Sequence, residues 1–234
     1  MTYVLSDVHG YYNKFLTMLE KINFSDNDVM IVLGDVIDRG PEGITMIQDI
    51  MKRKNVVMTM GNHELMMVQS LLGEGDEQAQ KECAENWIQN NGGYATMLQL
   101  EEISDEEALK IMDFITKLPV GIDLTIGERK FHLVHGWPCE DVYDALWSRP
   151  ELDTLSPLEK DIQLIIGHTP TLFLHAKDQD ELWSFIKDLQ KKREHFKIEH
   201  ASGFIDLDCG LAQNITDVSV LACLRLDDMH EFYV

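Results

Sequence analysis

Short glycine-containing segments that follow apolar runs carry most of the residues that could do chemistry in this chain. Asp7 and His9 stand in SDVHG after the first apolar run, and Asp35 stands in GDVIDRG after the second. Asn62 and His63 stand in GNHE after the third run. Carboxylate, imidazole and amide groups bind metals or carry protons, so this repeated placement predicts a metal or acid–base site.

Two later apolar runs end in the same way, in VHG with His135 and in IGHTP with His168. A lone histidine after a strand is more often structural, and Asn62 taken alone also suits a helix N-cap. Five such segments in one chain make coincidence a poor explanation. Asp7 and His9 are two residues apart, so an extended strand would point both to one face. Because chemistry in α/β proteins is placed at the carboxyl ends of strands, we expect these side chains to converge.

The donor atoms of these segments indicate which metals would bind. Oxygen and nitrogen ligands without cysteine suit manganese, iron, zinc or a similar divalent ion rather than a structural thiolate site. Two neighbouring ions need a shared carboxylate, and Asp35 is the natural bridge because it lies between the two groups of ligands in chain order. Two such ions lower the pKa of a bridging water and stabilise the entering and leaving oxygens of an in-line displacement.

The elements that must position these residues alternate between strands and helices in the N-terminal part of the chain. We predict strands at 2–6, 28–34 and 55–61 and helices at 11–22 and 41–52. Such alternation is typical of βαβ units with a parallel sheet. Residues 65–118 have helical periodicity and many acids, interrupted at NNGGY, and predict a helical insert or cap.

The second half of the chain predicts further strands. They are a hairpin at 120–136 that turns at IGER, a buried strand at 162–168, and C-terminal strands that begin with GFIDLDCG and turn near Asp227 and Asp228. Residues 177–195 predict a charged helix or a long excursion, with a solvated face. We therefore predict an α/β fold with two packed sheets and outer helices, as a single domain over 1–234.

Composition excludes several classes of protein. The 234 residues are 44% hydrophobic and 26% charged, ordinary values for a globular protein. The formal net charge of −21 argues against a nucleic acid partner, since phosphate binding needs clustered lysine and arginine. The four cysteines form no C-x-x-C pair, and the N-terminus lacks the features of a signal peptide. No apolar stretch approaches the ~20 residues of a membrane span, so we expect a cytoplasmic protein without a membrane partner.

Taken together, the segments DVHG, GDVIDRG, GNHE, VHG and GHTP resemble the metallophosphoesterase superfamily. GDVIDRG with GNHE is similar to its phosphoprotein phosphatase branch, which includes serine/threonine protein phosphatases and symmetrical diadenosine tetraphosphatases. LWSRP at 146–150 and ENWIQNNGGYATM in the helical region are similar to bacterial and phage members. The resemblance implies a calcineurin-like metallophosphoesterase fold with two mixed sheets. It extends from Asp7 to His168, and no motif follows Thr171.

The resemblance also implies roles for the matching residues. Asp35 would bridge two divalent ions, with manganese first and iron, zinc, nickel or cobalt as alternatives. Asp38 would orient His63, the general acid that protonates the departing oxygen. Arg39 and Arg149 would clamp phosphate oxygens, a task that suits the planar guanidinium. The implied ligands are Asp7, His9 and Asp35 for one ion and Asp35, Asn62, His135 and His168 for the other.

We therefore expect a dinuclear-metal phosphoesterase that hydrolyses phosphomonoesters by direct attack of a metal-bridging hydroxide, as a serine/threonine protein phosphatase. Its substrate would be a phosphoprotein or a phosphorylated small molecule, and the enzyme would be a monomer or weak oligomer. The alternative is a symmetrical dinucleoside tetraphosphate hydrolase with the same centre, which the chain length and the insert disfavour. An inactive phospho-binding scaffold is a remote alternative, since every ligand is retained. Glu64 is expected to support its turn.

Overall fold

Two five-stranded sheets form the centre of the structure, a computed structural model that describes residues 1–73 and 77–234. The strands are β1 (Thr2–Leu5), β2 (Val29–Leu33), β3 (Val56–Thr59), β4 (Gly121–Ile126), β5 (Arg129–Val134), β6 (Ile162–Ile166), β7 (Glu199–His200), β8 (Ile205–Asp206), β9 (Ala222–Arg225) and β10 (His230–Tyr233). The first sheet has the order β10-β9-β1-β2-β3, and the second has the order β4-β5-β6-β8-β7.

Both sheets are mixed. In the first, β1, β2 and β3 are parallel neighbours, while β9 and β10 run antiparallel at the other side. In the second, β5, β6 and β8 are parallel, and the antiparallel strands β4 and β7 form the edges. The two packed mixed sheets confirm the predicted fold class, and β4 and β5 form the predicted hairpin.

Helices cover the sheets. They are α1 (Tyr12–Lys21), α2 (Gly43–Lys52), α3 (Asn62–Leu72), α4 (Glu77–Asn90), α5 (Gly93–Glu101), α6 (Asp105–Ile115), α7 (Val142–Trp147), α8 (Thr171–Leu174) and α9 (Gln179–Lys192), with a 3₁₀ turn at Leu211–Gln213. Helices α3 to α6 follow one another between the two sheets in the sequence, and Gly92, with a φ of 84°, separates α4 from α5 at the predicted NNGGY break. The sequence patterns did not predict α7, α8 or β7. Within 1–73 and 77–234, no helix combines the length and the apolar character needed to cross a bilayer.

Side chains of the first sheet alternate between two apolar layers. Val4, Ile31 and Leu33 face the second sheet and pack with Phe131 and Ile165. Their sequence neighbours belong to a second apolar cluster with residues of α1, α2 and α3 on the opposite face. Parallel strands buried on both faces have continuous apolar sequences, which explains why TYVL and VMIVL contain no polar alternation.

The loops at the carboxyl ends of the parallel strands touch one another. The backbone N–H of His9 donates to the Asp35 carbonyl at 2.8 Å, and the N–H of Gly167 donates to the His135 carbonyl at 2.9 Å. Gly34 has a φ of 67°, and a Cβ at this position would lie 2.4 Å from the Cα of Gly61. Only glycine permits this approach, so the glycines of GDVIDRG and GNHE bring two strand ends into contact.

Candidate active site

The Asp35 carboxylate lies at the centre of the converging side chains and is 2% exposed. The Nε2 atom of His135 lies 3.3 Å from Asp35 Oδ1. On the other side, Nε2 of His9 lies 3.5 Å and Nε2 of His63 lies 3.8 Å from Asp35 Oδ2. Side chains from three other strand ends therefore surround this buried carboxylate.

The amide of Asn62 faces the same group. One of its terminal atoms lies 2.9 Å from His135 Nε2, 3.0 Å from His168 Nδ1 and 3.1 Å from Asp35 Oδ2. Each of these neighbours offers a lone pair, and with the amide oxygen in this position Asn62 offers another. A divalent cation binds this combination of oxygen and imidazole donors.

Backbone carbonyls fix the orientation of three imidazoles. His135 Nδ1 donates to the Leu33 carbonyl at 2.7 Å, and His9 Nδ1 donates to the Ile37 carbonyl at 3.0 Å. His168 uses the other nitrogen, since its Nε2 donates to the Trp147 carbonyl at 3.2 Å. In each ring the hydrogen-bonded nitrogen carries a proton, so the remaining nitrogen is the one that faces the other site residues and can bind a metal, as in metal-binding histidines.

Within residues 1–73 and 77–234, two groups of three side chains have ligand atoms within 4.8 Å of one another, and Asp35 belongs to both, as its predicted bridging role requires. The groups are His9, Asp35 and His63, and Asp35, His135 and His168. The second contains three of the four residues expected to hold one ion, all except Asn62. The first contains His63 and not Asp7, although Asp7 Oδ1 lies only 4.0 Å from His9 Nε2. The combined donor set fits a divalent metal centre.

Asp7 and His9 are brought together by left-handed backbone conformations rather than by strand alternation. Strand β1 ends at Leu5, and Asp7 and His9 have φ values of 54° and 46°. The expectation based on a period of two is therefore wrong for this pair. Positive φ also occurs at Asp35, Asp38, Arg39 and His168. Such conformations cost about 1–3 kcal/mol each and concentrate where a site demands them.

His63, which lines the cleft, forms a buried pair with Asp38, which lies behind it. His63 Nδ1 lies 2.6 Å from Asp38 Oδ2, and Asp38 is fully buried. The same carboxylate accepts hydrogen bonds from Trp87 Nε1 at 2.8 Å and from Thr96 Oγ1 at 2.6 Å.

Asn62 is the first residue of α3, whose N-cap is Gly61, so the N-cap alternative for Asn62 is wrong.

Two arginines border the cleft. Arg39 Nη1 lies 3.2 Å from His9 Nε2, and its Nη2 lies 3.2 Å from His63 Nε2. A guanidinium only donates, so both imidazole nitrogens face it as acceptors. Arg149 follows α7, and its Nη1 donates to the His168 carbonyl at 2.9 Å. Eight of the ten predicted site residues line the cleft, and Asp38 and His135 lie behind it.

The cleft also contains residues for which the sequence suggested no role. Asp208, two residues beyond β8, is 5% exposed and lines the cleft with Asn91, Trp147, Phe173 and Gln213. Burial, reinforced by the nearby charge of Asp7, raises the pKa of Asp208 well above its usual range. GFIDLDCG repeats the order of apolar strand, acid and glycine seen at the other strand ends. The order of apolar strand, acid and glycine in this segment is the signal that could have identified Asp208 from the sequence.

Comparison with known proteins decides the family. The sequence profile described as "Calcineurin-like phosphoesterase" matches residues 2–195. The chain belongs to this family. The match confirms the resemblance seen in the strand-end segments.

Two relatives of this calcineurin-like phosphoesterase are named for different activities. Serine/threonine-protein phosphatase 2 of Salmonella typhimurium is 29% identical over 183 residues, 74% of this chain and 78% of the relative. The symmetrical bis(5'-nucleosyl)-tetraphosphatase of Wigglesworthia glossinidia brevipalpis is 38% identical over 68 residues, 28% of this chain and 25% of the relative. The solved structure of a proposed diadenosine tetraphosphatase shares the fold, with a TM-score of 0.61, 13% identity, and coverage of 100% of this chain and 92% of the other.

Electrostatics in the phosphoesterase cleft favour cation binding. Burial, with His135 and Arg149 nearby, lowers the pKa of His168 to about 2, so this ring is a neutral lone-pair donor. Burial and the neighbouring His63 also lower the pKa of His9. Burial disfavours the Asp35 anion, but His135 and His63 outweigh it and hold the pKa of Asp35 well below its usual range. Burial likewise disfavours charged His135, but Asp35 raises the pKa of His135 to about 10. A divalent cation that binds these ligands displaces that proton.

Glu64 supports the loop that carries Asp35. Its Oε2 accepts from the backbone N–H groups of Asp35 and Gly61 at 2.8 and 3.0 Å, and its Oε1 accepts from the N–H of Val36 at 2.9 Å. Glu64 is fully buried, and burial together with Asp35 raises its pKa to about 7. The side chain therefore ties the loop after β2 to the beginning of α3, as expected for a supporting residue.

We predict that Glu64→Gln destabilises the metal-free protein by about 2 kcal/mol, because one acceptor oxygen becomes an amide donor facing backbone donors. Chemical denaturation in EDTA measures the change in the free energy of unfolding. Glu101→Gln, at an exposed position in α5, is the matched control and should stay within about 0.5 kcal/mol of the native protein. Equal unfolding free energies for the two variants would contradict the supporting role.

Proposed function

We propose that this phosphoesterase is a serine/threonine protein phosphatase that works with two divalent metal ions, with manganese as the preferred metal. The observation that carries the proposal is a single cleft that combines a donor set for cations, two guanidinium groups and a buried carboxylate–imidazole pair. Metal-assisted hydrolysis of a phosphate ester requires these three elements, for the cations, for the phosphate oxygens and for the leaving oxygen.

The six proposed ligands divide between two ions. Asp7, His9 and Asp35 would hold one ion, and Asp35, Asn62, His135 and His168 would hold the other. When bound, the ions would activate water for direct attack on phosphorus and offset charge on the phosphoryl group. The orientation of the imidazoles by backbone carbonyls supports metal binding, since it directs the other nitrogen of each ring toward the neighbouring ligands.

The remaining residues act on the substrate itself. Arg39 and Arg149 would bind phosphoryl oxygens through their guanidinium N–H groups. With Arg39 on the phosphoryl oxygens rather than on His63, the Nε2 of His63 would carry a proton and donate it to the departing oxygen. Asp38 would hold the opposite nitrogen and so keep the ring aimed at the leaving group. No covalent phosphoenzyme is needed in this scheme.

The comparisons favour a phosphoprotein as the substrate. The relative named as a serine/threonine protein phosphatase matches 74% of the chain, and the relative named as a symmetrical tetraphosphatase matches 28%. Catalytic groups common to both activities cannot separate them, so the longer match carries more weight. Hydrolysis of symmetrical dinucleoside tetraphosphates is the alternative.

Parallel assays with a phosphoserine peptide and diadenosine tetraphosphate test the substrate. With manganese-loaded protein we expect the larger kcat/KM on the phosphopeptide. The opposite order would make the tetraphosphate hydrolase the better description. Binding of the phosphopeptide without turnover of either compound would instead indicate a phospho-binding scaffold.

A second prediction concerns the shared carboxylate. Native protein loaded with manganese should contain about two ions per chain by elemental analysis. Asp35→Asn removes the negative charge that both ions would share, so it should abolish activity and reduce the metal content. Asp105→Asn, at the exposed start of α6, is the control and should change neither. One ion or none in active native protein, or similar losses in both variants, would disprove the dinuclear arrangement.

A third prediction separates His63 from the metal ligands, with which it shares a group around Asp35. A serine alkoxide needs a proton to depart, whereas an acidic phenol leaves readily as an anion. General acid catalysis contributes about 10²–10⁴-fold, so His63→Asn should lose much of that range in kcat on a phosphoserine peptide and clearly less on an activated aryl phosphate. Asp38→Asn should show the same pattern in milder form.

Metal analysis of the same variants completes this test. A general acid can be removed without loss of metal, so His63→Asn should retain the native manganese content. Loss of metal, or equal losses of kcat on the two substrates, would assign His63 to the first metal group instead.

A further inference from the structure

Two hydrogen bonds join helices α4 and α5 to the pair formed by Asp38 and His63. The donors are Trp87 in α4 and Thr96 in α5, and both side chains are fully buried. We propose that Trp87 and Thr96 are positioning residues for the pair Asp38–His63, which makes α4 and α5 a working part of the active site. This inference rests on the proposed function, since it assigns a purpose to the general acid.

Each oxygen of the Asp38 carboxylate has its own donor from these helices. Trp87 Nε1 donates to Oδ2 at 2.8 Å, and Thr96 Oγ1 donates to Oδ1 at 2.6 Å. The Thr96 hydroxyl also accepts from the backbone N–H of Asp38 at 3.0 Å. The carboxylate is thus held at both oxygens, and Oδ2 retains the capacity to accept from His63 Nδ1. Rotation of the carboxylate away from His63 would leave two buried donors without acceptors.

The need for this support follows from the backbone at Asp38. Its φ is 70°, and the following residue, Arg39, has a φ of 63°. Two successive non-glycine residues in the left-handed region are maintained only when their surroundings fix them. The carbonyl of Gly92, between α4 and α5, accepts from the N–H of Arg39 at 3.1 Å. The turn between α4 and α5 therefore also holds the backbone of Arg39, the proposed phosphate-binding residue, next to the Asp38 carboxylate.

A purely structural role would explain the Trp87 ring but not the direction of its N–H group. The ring fills a close-packed space, since a Cβ at Gly93 would lie 2.6 Å from it. An apolar ring of similar size would fill that space equally well. Instead, the one polar atom of the ring is aimed at the carboxylate that orients His63, and a second donor from another helix meets the other oxygen. Thr96→Val removes a donor at nearly constant volume, whereas Trp87→Phe keeps an aromatic ring but is smaller, so the Thr96 variants separate the two roles most directly.

Trp87→Phe and Thr96→Val remove one donor each, and Thr96→Ser retains the hydroxyl. We expect the first two to lower kcat on a phosphoserine peptide by about 10-fold, because each breaks a hydrogen bond to a buried charged acceptor. The loss on p-nitrophenyl phosphate should be clearly smaller, KM and manganese content should stay near native values, and Thr96→Ser should restore activity. The controls are Trp183→Phe at an exposed position and Thr59→Val at a buried hydroxyl without a hydrogen bond. Equal effects on the two substrates, or effects no larger than those of the controls, would overturn the proposal.

A measurement that needs no activity keeps this inference separate from the proposed function. The low-field proton NMR signal of His63 Nδ1–H, identified by its loss in His63→Asn, should move in Trp87→Phe and Thr96→Val and stay in place in Thr96→Ser and both controls. An unmoved signal would show that the two donors do not position the pair. Native protein that hydrolyses neither phosphate ester would refute the proposed function, while the NMR shifts would still decide the positioning role. If Trp87→Phe does not fold, the Thr96 variants decide it alone.

Discussion

The buried carboxylate of Asp35 is the group on which the rest of the site depends. A charge removed from water is tolerated only where partners surround it, and here imidazoles from separate strand ends and the Asn62 amide supply them. Those partners are themselves fixed, because the carbonyls of Leu33 and Ile37 hold His135 and His9 in one orientation. The carboxylate is therefore the common neighbour of side chains from three other strand ends.

The loops that deliver these side chains are strained, and their neighbours compensate for the strain. Positive φ at Asp7, Asp35 and His168 turns the backbone sharply after the strand that precedes each residue. Contact between loops, such as that of Gly34 with Gly61, is possible only without side chains. The Glu64 carboxylate then satisfies backbone donors that these turns expose inside the protein. Catalytic geometry and loop stability are thus provided by the same few contacts.

The helical region α3–α6 gains a physical role from this arrangement. Its position in the sequence suggests only an insert, and its exposed acids suggest a solvated surface. Its buried polar atoms point elsewhere, because Trp87 and Thr96 reach the Asp38 carboxylate and Gly92 reaches the Arg39 backbone. A cap that packed only through apolar contacts could shift without consequence for the chemistry, whereas one attached through hydrogen bonds to a buried carboxylate cannot.

The sequence by itself determined the apolar strands, the principal helices, the phosphoesterase family and the chemical types gathered at the strand ends, because these depend on local periodicity and on short segments. Tertiary structure alone decided which atoms meet. It brought His63 into the group around Asp35, placed Asp208 in the cleft and paired Trp87 with Asp38, residues that are far apart in the chain. It also replaced strand alternation at Asp7 and His9 with left-handed turns. Such contacts arise from loop conformations and from sheet packing over long sequence separations, which a local residue pattern does not encode.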